Sequence, residues 1–276
     1  MKKYALLSCL LCAPLAFADD AKQACDAPTK QAIAQFLHIS SSELAQRELA
    51  SACKPDPNQS QTMLAAYAVI QKGFTNENYR ANPDASPDWQ LTVARIANGK
   101  VQQSWQQNSA IDASVDVDSD SLKIDTARYQ LNEQIRAFGV YFHNAARGPS
   151  EPDFWSDDDL VLLYGSGQKL LPVFHYATFA WQAEATPAVQ KQCAQCATMA
   201  AEKMIIKIDK SQQHHGFNDL LLRAKIRTNV YQFGKIKSIY AAGVQWLREK
   251  PLGDDSIRLR FDGKTYQPTE KKWWLE

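Results

Sequence analysis

The sequence predicts a mainly β protein, a sandwich or an irregular propeller-like stack of antiparallel hairpins, behind a small helical N-terminus pinned by a disulfide. Three observations carry that expectation. Apolar and β-branched residues recur in short runs, the runs are divided by glycine turns, and helical Ala/Gln/Leu spacing gives way to a period of two after Cys53.

The chain opens on a secretory signal peptide over residues 1–18. Met1-Lys2-Lys3 is a basic start, Ala5 to Leu15 an apolar stretch broken only by Ser8, and Ala16-Phe17-Ala18 the small-x-small pattern of a cleavage site after Ala18. That stretch is short of the roughly 20 residues needed to span hydrocarbon. Export to the periplasm is expected, with no integral membrane segment after cleavage. Losing Lys2 and Lys3 turns the formal +1 of the 276-residue chain into −1. Such a balance gives no global field for nucleic acid, so nucleic acid is not an expected partner.

Residues 19–57 read as a helical hairpin segment. Asp26-Ala27-Pro28 opens the first helix, which runs through Ile33, Phe36 and Leu37, and Ser40-x-x-Glu43 is a capping box for the second. Cys25 and Cys53 bracket the pair. A helical hairpin brings its ends together, as a disulfide requires, and closing a loop of this length stabilises by ~3–4 kcal/mol in the entropy model. Lys54-Pro55-Asp56-Pro57-Asn58-Gln59 reads as a linker, and a β-rich domain is expected over residues 58–276.

Within that domain Thr62 to Ile70 and Trp89 to Ile96 read as strands, and Asn98-Gly99 turns the second into Lys100 to Trp105. Leu160 to Tyr164 turns at Gly165-Ser166-Gly167 into Lys169 to Phe174. Ile257 to Phe261 turns at Asp262-Gly263 into Lys264 to Tyr266. Leu122 to Ile124, Ile135 to Phe142, Met204 to Ile208, Leu220 to Ile226 and Ile236 to Leu247 add five candidate strands. A polar loop at Asn144 to Asp158 and an Ala/Gln-rich stretch at Ala183 to Glu202, with room for a helical turn, interrupt them.

Leu91 to Ile96 with Asn98-Gly99-Lys100, Asp219 to Arg223, and Arg260 to Tyr266 resemble propeller-blade hairpins of exported FG-GAP or VCBS-type proteins. The mature chain is also similar to uncharacterised periplasmic bacterial proteins with an Ile-Asp-Thr-Ala-Arg-Tyr segment, here Ile124 to Tyr129. The resemblance implies an exported β fold and no activity. Blades of this type carry an Asp-x-Asp-x-Asp-Gly calcium loop, and here the sequence departs from the pattern.

Asp116-x-Asp118-x-Asp120 supplies the first three ligands of a calcium loop, with carboxylates at alternate positions. Ser121 then replaces the turn glycine, Ala127 stands where an EF-hand places its Glu, and Asp125 is one position late for the propeller loop. An acidic surface loop accounts for the same letters, so calcium is the weaker reading and no other cofactor is expected. Cys193-Ala194-Gln195-Cys196 reads as a local disulfide rather than a redox pair or half of a zinc site. Ala197 in place of His excludes haem attachment. His214-His215, with Asp219 four residues on and His143 and His175 elsewhere, is the one place where metal or acid–base chemistry could gather, although Gln212 to Gly216 reads more simply as a polar turn between two strands. Ser166-Gly167-Gln168-Lys169-Leu170 is similar to the Ser-Gly-x-x-Tyr loop of periplasmic lysozyme inhibitors up to its last position.

A disulfide-pinned β scaffold with polar loops and no assembled nucleophile motif points to a non-catalytic periplasmic binding protein, with an envelope component or another protein as partner. An inhibitor or immunity role against an envelope enzyme or toxin falls within that class. The alternative is an exported hydrolase, or a thiol oxidoreductase using Cys193 and Cys196. That alternative requires a pocket in which His175 or His214 approaches a carboxylate or Cys193.

Overall fold

The computed structural model describes residues 23–82, 85–112, 114–146, 153–183, 196–232, 239–240 and 244–275. Helix α1 (Ala27–Phe36) starts where Asp26 accepts a hydrogen bond from the Thr29 amide, and α2 (Ser41–Arg47) where Ser40 accepts one from Glu43 at 3.0 Å. Only half of the expected capping box forms, because the Glu43 carboxylate pairs with Arg47 at 2.7 Å instead. The chain then leaves the helical course expected up to Cys53. Residues Glu48–Pro55 are a strand, β1, paired antiparallel with β2 (Thr62–Ile70) in the register Ala52↔Ala66. Small side chains in both strands let helix and sheet close over them, and that tertiary fit overrides helical propensity.

Cys25 and Cys53 are bonded, their Cα atoms 5.0 Å apart. The segment 54–59, expected as a linker, is the β1–β2 connection, held by the Asp56 carboxylate on the Asn58 amide and by the Asp56 amide on the Thr62 carbonyl. The boundary expected between residues 57 and 58 therefore falls inside a hairpin.

From β2 the chain passes through a short helix, α3 (Asn76–Ala81), capped reciprocally by Thr75 and Asn78, into β3 (Asp88–Ala97) and β4 (Lys100–Ala110). Asn98 and Gly99 take φ values of 53° and 68°, as a type I′ turn demands. Every residue from Leu64 to Ile70 is buried. One face, with Tyr67, Ile96 and Ala65, packs under Ile33 and Leu44 of the helices. The other, with Leu64, Ala66 and Val93, meets Ile124, Phe138 and Leu163 from across the core.

That second layer is a meander of β5 (Leu122–Gln130), β6 (Arg136–Phe142), β7 (Phe154–Ser166) and β8 (Lys169–Gln182), continued by β9 (Cys196–His214), β10 (Phe217–Gln232), β11 (Gln245–Phe261) and β12 (Tyr266–Pro268). One parallel bridge, Ser104↔Lys169, joins the two meanders into a single twelve-stranded mixed sheet. Leu160 to Leu163 is a continuous apolar run because both of its faces are covered. Val161 and Leu163 enter the first core, while Leu160 and Leu162 enter a second one with Phe174, Leu222, Leu259 and Trp274.

The β7–β8 turn lies one residue later than the expected glycine cluster, at Gly167 and Gln168, with Ser166 paired to Lys169. Gly165 is a strand residue whose lack of a side chain serves a contact. A Cβ there would stand 2.5 Å from Arg95 Nη1 and 2.3 Å from Gln103 Oε1. Arg95 in turn lies between the layers, 2.8 Å from the fully buried Asp56 carboxylate. Strands β9 to β11 are much longer than the apolar patterning suggests, at 19, 16 and 17 residues. The strand expected over Ile236 to Leu247 begins only at Gln245, and residues 233–238 and 241–243 lie outside those described.

Gln23 fastens the two layers at one edge. Its carbonyl accepts from the Cys53 amide of β1 at 2.8 Å, while its side-chain amide both donates to and accepts from the Ile124 backbone of β5, at 2.9 and 2.8 Å.

Candidate functional site

The expected calcium ligands are dispersed among structural contacts. Asp116 takes hydrogen bonds from Tyr79 Oη at 2.6 Å and from Arg80 Nη1 at 3.0 Å, and Arg80 also donates to the Val117 carbonyl. Asp118 caps its own turn through the Asp120 amide and the Ser121 hydroxyl. Asp120 lines a pocket of about 460 Å³ together with Gln23, Lys54, Lys123, Tyr141, His143 and Asp158. Cys193 lies outside the described residues. The Cys196 backbone begins β9, opposite Val230.

At the rim of that pocket sits a constellation that sequence reasoning missed. His143 follows the last residue of β6, and its amide donates to the Ser121 carbonyl at 2.8 Å. Its Nδ1 lies 2.9 Å from Asp158 Oδ1 and 3.3 Å from Asp157 Oδ2. Consecutive strand residues ordinarily point to opposite faces, so Asp157 and Asp158 should not reach one imidazole. They do so because Asp158 has a φ of 55°, in the left-handed region, which breaks the alternation inside β7. The β7–β8 pairing skips this residue and resumes in the same register, Asp157↔Phe179 and Asp159↔Ala177. Such a conformation costs roughly 1–2 kcal/mol, least for Asn and Asp.

The ionisation of these groups follows their surroundings. Partial burial pulls the His143 imidazole down, but the hydrogen bond with Asp158 and the charges of Asp157, Asp158 and Asp118 outweigh it and hold its pKa above the ordinary histidine value. Tyr141 is pushed up to about 12, chiefly by burial, then by the charges of Asp125 and Asp158. Burial likewise raises Asp159, against the opposing charge of His175. The arrangement therefore favours a proton on His143 beside the Asp158 carboxylate.

The two adjacent histidines part company. His215 and Gly216 form the β9–β10 turn with φ values of 47° and 82°. His214 Nδ1 meets the fully buried Asp219 carboxylate at 2.6 Å, whose other oxygen faces Arg258 Nη1 at 3.4 Å. Arg258 is shared with Asp209 at 2.5 Å. Among the described residues no hydroxyl or thiol bonds the other ring nitrogen of His214. Leu170, at the last position of the inhibitor-like loop, is buried in the first core.

Comparison with family models, curated proteins and solved structures finds no match. The site must be read from its own chemistry.

Proposed function

We propose that this chain is a non-catalytic binding protein of the periplasm that engages a protein of the cell envelope along the edge of β11. One observation carries the reading. Trp246 is 60 % exposed and Leu247 44 % exposed on a strand that, among the described residues, pairs on one side only from Gln245 to Ser256. A large exposed aromatic beside an aliphatic residue is costly to leave in water, and aromatic anchors dominate protein interfaces. Open strand edges accept extended segments through main-chain hydrogen bonds. Pro251 and the left-handed Gly253 interrupt the edge, so Gln245 to Lys250 is the usable part, about 20 Å at strand rise. An inhibitor or immunity role fits this mode of capture.

A photo-crosslinking amino acid at position 246, expressed in cells, tests the reading against one at the exposed Gln107 of β4. A discrete adduct at 246, absent at 107 and lost with Leu247→Pro, is expected. No adduct, or equal adducts at both positions, overturns the proposal. A hydrolase reading has the His214–Asp219 pair in its favour and lacks a nucleophile among the described residues.

A further inference from the structure

We infer that His143, Asp157 and Asp158 form a site for one divalent transition-metal ion, of which Zn²⁺ is the type, with its remaining coordination positions open to the 460 Å³ pocket. The inference is independent of the β11 edge. One ligand atom from each residue lies within 4.8 Å of the others. Metal–ligand bonds of about 2.0–2.2 Å place neighbouring ligand atoms roughly 3.0–3.5 Å apart. The separations of 2.9 and 3.3 Å from His143 Nδ1 to the two carboxylates lie in or close to that range.

Without a cation the arrangement is poorly matched. A single N–H on Nδ1 can be linear with one carboxylate oxygen and not with both, whereas an ion at the centre serves all three groups. The ligand atoms are also held in place from behind. Asp157 Oδ1 is occupied by the amides of Asn144 and Asp158 at 3.0 and 2.6 Å, which turns Oδ2 toward the imidazole. Asn144 is itself tied to the Ser114 carbonyl at 2.6 Å. Backing contacts of this kind orient the ligands of natural metal sites.

The donor set selects the ion. One imidazole nitrogen with two carboxylates suits zinc or manganese, whereas calcium takes an all-oxygen shell. The site is distinct from the Asp116, Asp118, Asp120 reading in its residues and in its metal. Asp157 is mostly buried, while His143 and Asp158 are about half exposed, so an ion can enter from solvent.

Calorimetric titration of the chelator-treated purified protein with zinc sulfate tests the site. One equivalent is expected to bind, at least tenfold more weakly in His143→Ala and in the double variant Asp157→Asn with Asp158→Asn. His214→Ala with His215→Ala controls for zinc on the other histidine pair and should leave the affinity unchanged, and calcium chloride should give no comparable binding. Circular dichroism melting in EDTA checks that each variant folds. Should the double variant fail to fold, His143→Ala carries the test, because that side chain is exposed. No zinc binding, equal affinity in His143→Ala, or preference for calcium overturns the inference.

Discussion

The middle of β7 and the beginning of β11 are both β-strands and share little else. Leu160 to Leu163 has both faces covered and contributes alternately to two cores, whereas Gln245 to Glu249 is exposed on both faces. The first is a run of four aliphatic residues that cannot be told from a helix segment by periodicity. The second carries Trp246, Arg248 and Glu249 along an edge that, among the described residues, pairs with β10 only. Burial organises stability in this molecule, and secondary structure by itself does not. Strand formation at the start of β11 rests on pairing with β10, reinforced where Arg227 meets Glu202 and Glu249.

The comparison can be broken most severely between the layers. Asp56→Ala leaves the Arg95 guanidinium buried without its partner and should destabilise by about 3–5 kcal/mol in urea unfolding. Leu162→Ala, at a position with no exposure and on the face opposite Leu163, should cost about 3 kcal/mol by cavity formation, with both cores unfolding together. Unfolding in two resolved steps would show that the layers are separable.

A smaller effect is expected at the C-terminus, where Trp274 plugs the second core and donates to Asp255 at 3.0 Å. Burial works to raise the Asp255 carboxyl, but bonds from Trp274 and Lys272 outweigh it and hold it below its ordinary value of 3.8. A carboxyl lowered in the folded state stabilises above its unfolded pKa, and that contribution is lost as pH falls through the folded value. Trp274 fluorescence should therefore change as pH drops below 3.8, and Asp255→Asn should remove that dependence. The smallest change belongs to β11. Trp246→Ala should alter stability by no more than about 0.5 kcal/mol, as exposed positions do, while abolishing the crosslink formed from a photo-crosslinking residue placed at the exposed Arg248.

What the sequence made legible follows the same division. Asn98-Gly99 discloses its hairpin because the turn geometry is encoded in two adjacent residues, whereas Asp262-Gly263 marks a four-residue loop over 262–265, with the strand expected from Lys264 resuming only at Tyr266. The Cys25–Cys53 bridge was readable from its bracketing position. Strand β1 was not, since Leu49, Ala50 and Ala52 suit a helix until β2 lies beside them. The beginning of β11 lacks alternation because no core receives it, while the extensions of β9 and β10 bury only scattered residues such as Met199, Ala201, Thr228 and Val230. The His143 constellation was hidden more thoroughly. It depends on one left-handed residue at Asp158, inside a stretch whose polarity reads as loop, and on the β6–β7 register bringing Phe142 opposite Asp159. An Asp-Asp-Asp run at 157–159 entering an apolar strand was the only signal available.

Gln23 carries a consequence for colloidal behaviour. A single side-chain amide, bonded to Ile124 in both directions, occupies the place another strand would take on β5. It stays there cheaply because Cys25, two residues on, is covalently tied to β1. Reduction of the bridge turns a tethered stopper into a loose one, and the β5 edge becomes a template for other copies of the chain. Turbidity that appears on reduction, and appears in Gln23→Ala without it, would mark this residue as the guard against self-association.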